Sequence, residues 1–163
     1  MRISKLLIIL GYLLLIIACA QAQAQDATSS SESKTPTMVH LERADSLRFN
    51  KITNPDAQML YGNVIFRHDS SYMYCDSAYF YETSNSLEAF SNVRMEQGDT
   101  LFVYGQYLFY DGNTEMGYLR ENVRMENNQV TLFTDSLNYD RAADISYYFD
   151  GGLIVDEENE LSS

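Results

Sequence analysis

The chain has 163 residues, long enough for one ordinary domain behind a leader. Its formal charge is −12, from 11 basic and 23 acidic residues. That excess excludes a nucleic-acid partner, whose phosphates demand a basic face, and opposes lying flat on an anionic membrane surface.

Arg2 and Lys5 form a basic n-region, Leu6 to Ala20 is an apolar run broken by Gly11, and Ala20, Ala22 and Ala24 then alternate with glutamine. The pattern predicts a secretory signal peptide over residues 1–25. Its apolar run of about fifteen residues is short of the roughly twenty that a membrane-spanning helix needs. Two processing routes stay open. The alternating alanines favour simple cleavage, whereas Ile16-Ile17-Ala18-Cys19 also fits a lipobox in which Cys19 is lipidated. An uncleaved anchor is a third route. Loss of Arg2 and Lys5 with the leader leaves 9 basic against 23 acidic residues, a net charge of −14. Cys75 is then the one thiol outside the leader, and the reading for it is a small buried hydrophobe.

Residues 26–38, rich in Ser and Thr, have too few apolar side chains to pack and read as a flexible polar linker. A domain over residues 39–163 follows, in which Val, Ile, Tyr and Phe alternate with polar residues over short runs. Turn clusters such as Asn54-Pro55-Asp56, Gln97-Gly98-Asp99, Asp111-Gly112-Asn113 and Asn127-Asn128 separate these runs, which is the signature of strands. No stretch after the leader sustains a helical period.

A repeat of about thirty residues orders the domain. Asn63-Val64 recurs as Asn92-Val93 and Asn122-Val123, at intervals of 29 and 30, with Gly152-Leu153 as a degenerate fourth copy. Asp45-Ser46, Asp76-Ser77, Gln106-Tyr107 and Asp135-Ser136 interleave at intervals of 31, 30 and 29. Such a period means stacked units, each burying its apolar face against its neighbours. Each unit parses into four short strands. Side-chain parity agrees between copies: Val64 with Phe66, Val93 with Met95, and Val123 with Met125 face one way, while Arg94 and Arg124 face the other. Leu47 with Phe49, Ala78 with Phe80, Leu108 with Tyr110, and Leu137 with Tyr139 obey the same rule. A slip by one residue would turn every row outward, so register is well specified.

Catalytic patterns are missing from the sequence. His40 and His68 stand apart from any Cys/His cluster, and no phosphate loop, nucleophile elbow or metalloprotease helix occurs. The expectation is therefore no enzyme, no metal and no cofactor. Asp45, Asp76 and Asp135 recur at one place, but Gln106 interrupts them, so they read as side chains bonding where the chain turns a corner.

The succession Gly62-Asn63-Val64, Tyr74-Cys75-Asp76-Ser77-Ala78, Gly98-Asp99-Thr100-Leu101 and Leu132-Phe133-Thr134-Asp135-Ser136-Leu137-Asn138-Tyr139 resembles the OstA/LptA-like family. This is the organic-solvent-tolerance N-terminal domain, a periplasmic lipopolysaccharide-transport module. The resemblance covers Val39 to Ser163. It implies an all-β, open β-jellyroll of two antiparallel sheets, folded over each other like a taco and built here from the stacked repeats. It also implies lipopolysaccharide as ligand, with the lipid A acyl chains held between the sheets, and other Lpt-type jellyroll proteins as head-to-tail partners. The interior rows are then the acyl-chain candidates: Val64, Phe66, Val93, Met95, Leu101, Val103, Val123, Met125, Leu132 and Leu137. Each equally suits plain core packing, and Met95 and Met125 are the most adaptable to an irregular ligand. The acidic charge is compatible with an anionic glycolipid if the tails supply the affinity, at about 0.8 kcal/mol per buried methylene. The competing reading is a structural or adhesive exported β-solenoid that binds protein partners and no lipid. Leu161-Ser162-Ser163 falls where another strand should begin, which would leave the last unit open for a partner.

Overall fold

A computed structural model describes residues 37–156 and the strand Glu160–Ser162. The signal peptide, Cys19 and most of the linker lie outside the described residues. Eleven strands follow one another without a helix among the described residues: β1 (His40–Arg43), β2 (Ser46–Asn50), β3 (Asn54–His68), β4 (Ser71–Tyr81), β5 (Ser86–Gln97), β6 (Leu101–Asp111), β7 (Met116–Glu126), β8 (Val130–Asp140), β9 (Ile145–Tyr148), β10 (Leu153–Asp156) and β11 (Glu160–Ser162). Every pairing is antiparallel. From β3 to β8 each strand pairs with its successor in sequence, the order of hairpins in a meander.

The repeat is therefore one hairpin of two long strands, not four short ones. The predicted short strands are the halves of these long strands, joined across a bulge. Gly62-Asn63, Ser91-Asn92 and Glu121-Asn122 all have left-handed φ, between 47° and 76°. Each pair stands opposite a single residue of the next strand: Asp76, Gln106 and Asp135 respectively. Two residues against one is a β-bulge, which bends the strand without ending its ladder. Asparagine recurs here because it tolerates the left-handed region better than most side chains. A Cβ on Gly62 would stand 2.6 Å from Asp45 Oδ2, so this first copy combines a left-handed φ with close approach.

The bulges align into a fold line across the sheet, and the sheet doubles over there. Phe66 lies opposite Met73, and Phe80 is seven residues further along β4, about 23 Å away on a straight strand at roughly 3.3 Å per residue. Their ring centroids are 5.3 Å apart. The two expected sheets are thus two layers of one hydrogen-bonded ladder. The first layer holds β2, the leading halves of β3, β5 and β7, the trailing halves of β4, β6 and β8, and β9. The second holds β1, the remaining halves, β10 and β11. All apolar rows predicted to share a face do so in these registers. Leu47 and Phe49 keep that parity but stay 45% and 62% exposed, because β2 is an edge with no further strand beside it.

Candidate functional site

The inner faces of the two layers form an apolar trough. Nine of the ten residues expected there belong to the second layer and Leu137 to the first. Phe66, Met73, Met95, Val103, Met125 and Leu132 make one continuous cross-strand row. Opposite it, Leu60, Ala78, Ala89, Leu108, Leu119 and Leu137 make another. Val64, Phe66, Val93, Met95, Val103, Val123 and Leu137 are no more than 2% exposed, and Leu101 and Leu132 are each 8% exposed. Met125 alone of the ten is half-buried. Of the opposing wall, Ala78, Leu108 and Leu137 stand in rows read from the sequence, whereas Leu60, Ala89, Leu119 and also Met73 were not singled out, although the spacing Leu87-x-Ala89 and the pair Met73-x-Cys75 carry the same parity. Cys75 lies on the inner face, 5% exposed, and burial pushes its thiol pKa up to about 12. An inert small hydrophobe is what was expected of it.

Along the rim opposite the fold line, a polar seam laces the layers together. His68, at the end of β3, is fully buried. Its Nδ1 is 2.7 Å from the Tyr110 hydroxyl of the other layer, and its Nε2 is 2.7 Å from Thr37 Oγ1. Arg141 follows β8 with a side chain 5% exposed, and it pairs with Asp69 at 2.9 Å and Glu115 at 2.7 Å. Asn85 accepts from the Val39 amide at 2.8 Å and donates to the Thr37 carbonyl at 3.0 Å. Gly112 passes so close that an added Cβ would meet the Asn85 carbonyl oxygen and Val39 Cγ2, both at 2.8 Å.

Electrostatics of the seam follow from burial. His68 is held below its ordinary pKa by burial and then by the Arg141 cation, which outweigh Asp69 and Glu115. Burial works to raise Asp69, but hydrogen bonds from Arg141 and Thr37 prevail and hold it low. Burial pushes the Tyr110 hydroxyl up to about 12. These groups are locked on one another rather than aimed at open space. Sequence reading missed the seam, because its members sit at strand ends without a motif.

Towards the C-terminal side the seam gives way to a cleft of about 400 Å³ between the rims. Leu101 and Met125 reach its wall from the trough. Its remaining lining comes from Gln97 and Thr100 around the β5–β6 turn, Asn127, Asn128 and Gln129 of the β7–β8 turn, and Asp144 after β8. The Tyr139 hydroxyl lies between Gln97 Oε1 and Asp144 Oδ1, at the landward edge of this opening.

The outer face of the second layer is a different surface. Arg94 stacks over Tyr74 at 4.2 Å and Arg124 over Tyr104 at 4.3 Å. Their guanidinium groups pair with Glu96 at 3.2 Å and Glu126 at 3.1 Å. Both arginines face outward, as the parity of the repeat requires. The repeated aspartates lie on the fold line: Asp45 and Asp76 each accept from an asparagine of a bulge. No group of three or more His, Cys, Asp or Glu is placed to hold a metal among the described residues.

Known proteins give this geometry a context. No curated protein matches the sequence. The fold is similar to the crystal structure of LptH, the LptA homologous periplasmic component of the conserved lipopolysaccharide transport device from Pseudomonas aeruginosa. The TM-score is 0.61 at 14% identity, over 70% of this chain and 83% of that one. This likeness shows a shared jellyroll fold. A family model described as OstA-like protein matches residues 36–163, which takes in the fold line, the trough and the rim, and the chain belongs to that family.

Proposed function

We propose that this protein is a non-enzymatic periplasmic module that binds lipopolysaccharide and helps deliver it to the outer membrane. The lipid A acyl chains lie between the two layers. The observation that carries this reading is the trough itself: two apolar walls hinged at a line of bulges, with Leu101 and Met125 reaching a cleft at the rim. Tails entering there gain about 0.8 kcal/mol per buried methylene, enough to bind without any cation on the protein. The resemblance to LptH and the predicted export signal support the same compartment and cargo class. The edge strands β1, β2, β9 and β11 leave backbone groups open for head-to-tail pairing with other Lpt-type jellyrolls. Leu47 and Phe49, exposed on the inner face of β2, extend the trough to that edge.

A photoreactive residue placed at Met125 or Met95 tests the reading. Crosslinking to lipopolysaccharide well above that from outward position Arg94 is expected. Labelling no stronger than at Arg94 would favour the second reading, a structural or adhesive solenoid that binds protein alone. One observation favours that alternative: Phe66 and Phe80 already meet across the trough, so tails must part the layers to enter. Intact mass of the exported protein separates cleavage of the leader from lipidation at Cys19.

A further inference from the structure

The cleft at the C-terminal side of the rim has a lining that specifies the polar end of whatever enters. Its six polar residues are four amides, one hydroxyl and one carboxylate, with no cation among the described residues that line it. Five arginines among the described residues are engaged elsewhere. Arg67, Arg94 and Arg124 pair with glutamates, Arg141 is sealed in the seam, and Arg120 is spent on Asn138 and two backbone carbonyls.

The hydrogen-bonding capacity left in the cleft is of both kinds, donor and acceptor. Gln97 Oε1 accepts from the Tyr139 hydroxyl, which leaves its NH2 and one acceptor position. Asn127 Oδ1 accepts from the amides of Gln129 and Val130, at 3.0 and 2.8 Å, which again leaves NH2. Asn128, Gln129 and Thr100 stand exposed on the turns beside them. Asp144 offers a second carboxylate oxygen as acceptor. Amides and hydroxyls both give and take hydrogen bonds, as sugar hydroxyls do. A phosphate would meet the Asp144 carboxylate with no positive partner to offset it.

We infer that this cleft is a seat for the hydroxyl-rich, uncharged part of a glycolipid, whose tail passes Leu101 and Met125 into the trough. The inference rests on the proposed function and adds the chemistry of the headgroup. Sugar hydroxyls are recognised directly, and phosphates stay in solvent.

Two probes with one tail test it: decyl maltoside and decyl phosphate, each below its micellar concentration, titrated calorimetrically into the exported chain in EDTA. The maltoside is expected to bind at least about tenfold more tightly, the worth of two or three net hydrogen bonds. The double substitution Asn128→Ala and Gln129→Ala, on an exposed turn, should cut that ratio to below about threefold while leaving decyl phosphate unchanged. Gln129→Lys should tighten decyl phosphate. Equal binding of both probes, or a ratio that survives the double substitution, overturns the seat and leaves the trough standing. Binding of neither probe overturns the seat and the proposed function together.

Discussion

Asn92 Nδ2 donates to Asp76 Oδ2 at 2.7 Å across the fold line, and Asn63 repeats the bond to Asp45 at the same distance. Each bond joins the left-handed asparagine of a bulge to an aspartate earlier in the chain, so Asp76, the single residue opposite the Gly62-Asn63 bulge, is tied to the next bulge at Asn92. Sheet curvature and the interleaved Asn and Asp of the repeat are thus one device. Replacement of Asn92 should therefore separate its two roles. Asn92→Ala loses the hydrogen bond and also strains a backbone held at φ 50°, for a combined cost of about 1–2 kcal/mol. Asn92→Gly loses only the bond and should cost less than the alanine. Urea denaturation of the two variants checks the order.

Arg141 is the most consequential residue of the seam. Arg141→Met removes the cation and leaves Asp69 and Glu115 facing each other at the rim, at an expected cost of about 2–3 kcal/mol. Because the seam ties the layers together, the same change should loosen the trough locally. Hydrogen exchange at the ends of β3 and β8 should then speed up more than at the fold line, which separates seam opening from global destabilisation.

The seam also sets a pH dependence. Burial lowers the His68 pKa in the folded state, so the unfolded chain binds more protons as the pH falls through about 6.5. Stability should be full above that pH and decline as it falls toward the lowered folded value. Asp69, also lowered, adds a further loss only in the carboxylate range. His68→Gln retains hydrogen-bonding capacity and should flatten the curve between about pH 7 and 5. Chemical denaturation of both proteins across that window checks the sign.

Cys75 supplies an internal reporter. With its pKa pushed up to about 12 and its side chain buried, the thiol should resist a disulfide reagent at pH 8 until the layers part. Labelling should be slow in the native protein, fast in urea, and faster in Arg141→Met than in the parent.

Much of this architecture was legible in the sequence because it is periodic. Val64, Val93 and Val123 recur in phase, and so do the residues paired with them, so the walls of the second layer could be read off directly. The long strands could not. In β4 the inner residues run Met73, Cys75 and then Ala78, Phe80, a slip of one at Asp76-Ser77. From sequence a slip beside turn-forming residues reads as a strand end, whereas here the ladder continues through a bulge. The seam was illegible for a different reason. Arg141 and Asp69 are 72 residues apart and Thr37 and His68 are 31 apart, and no local pattern announces such meetings. The cleft likewise joins Gln97-Gly98-Asp99 and Asn127-Asn128, which read as ordinary punctuation, with Asp144 of a β8–β9 connection that carried no turn signal.

Met95 and Met125 occupy the same inner row and the same place in the repeat, yet their surroundings differ. Met95 is 1% exposed between Met73 and Val103, whereas Met125 is half-buried and reaches the cleft. Its sulfur accepts from the Ser146 hydroxyl at 3.2 Å. Truncation should tell them apart. Met95→Ala opens a cavity in a closed core and should cost about 2–4 kcal/mol, while Met125→Ala should cost less than about 1 kcal/mol. Their effects on amphiphile binding should run the other way. Met125→Asp puts a charge at the entrance that water can still reach, so the fold survives while binding of decyl maltoside falls. Met95→Asp buries that charge and should unfold the domain. Near-ultraviolet circular dichroism, read on the tyrosines, together with calorimetric titration separates loss of fold from loss of entry. Equal binding losses in folded Met95→Ala and Met125→Ala proteins would place the entrance elsewhere along the rim.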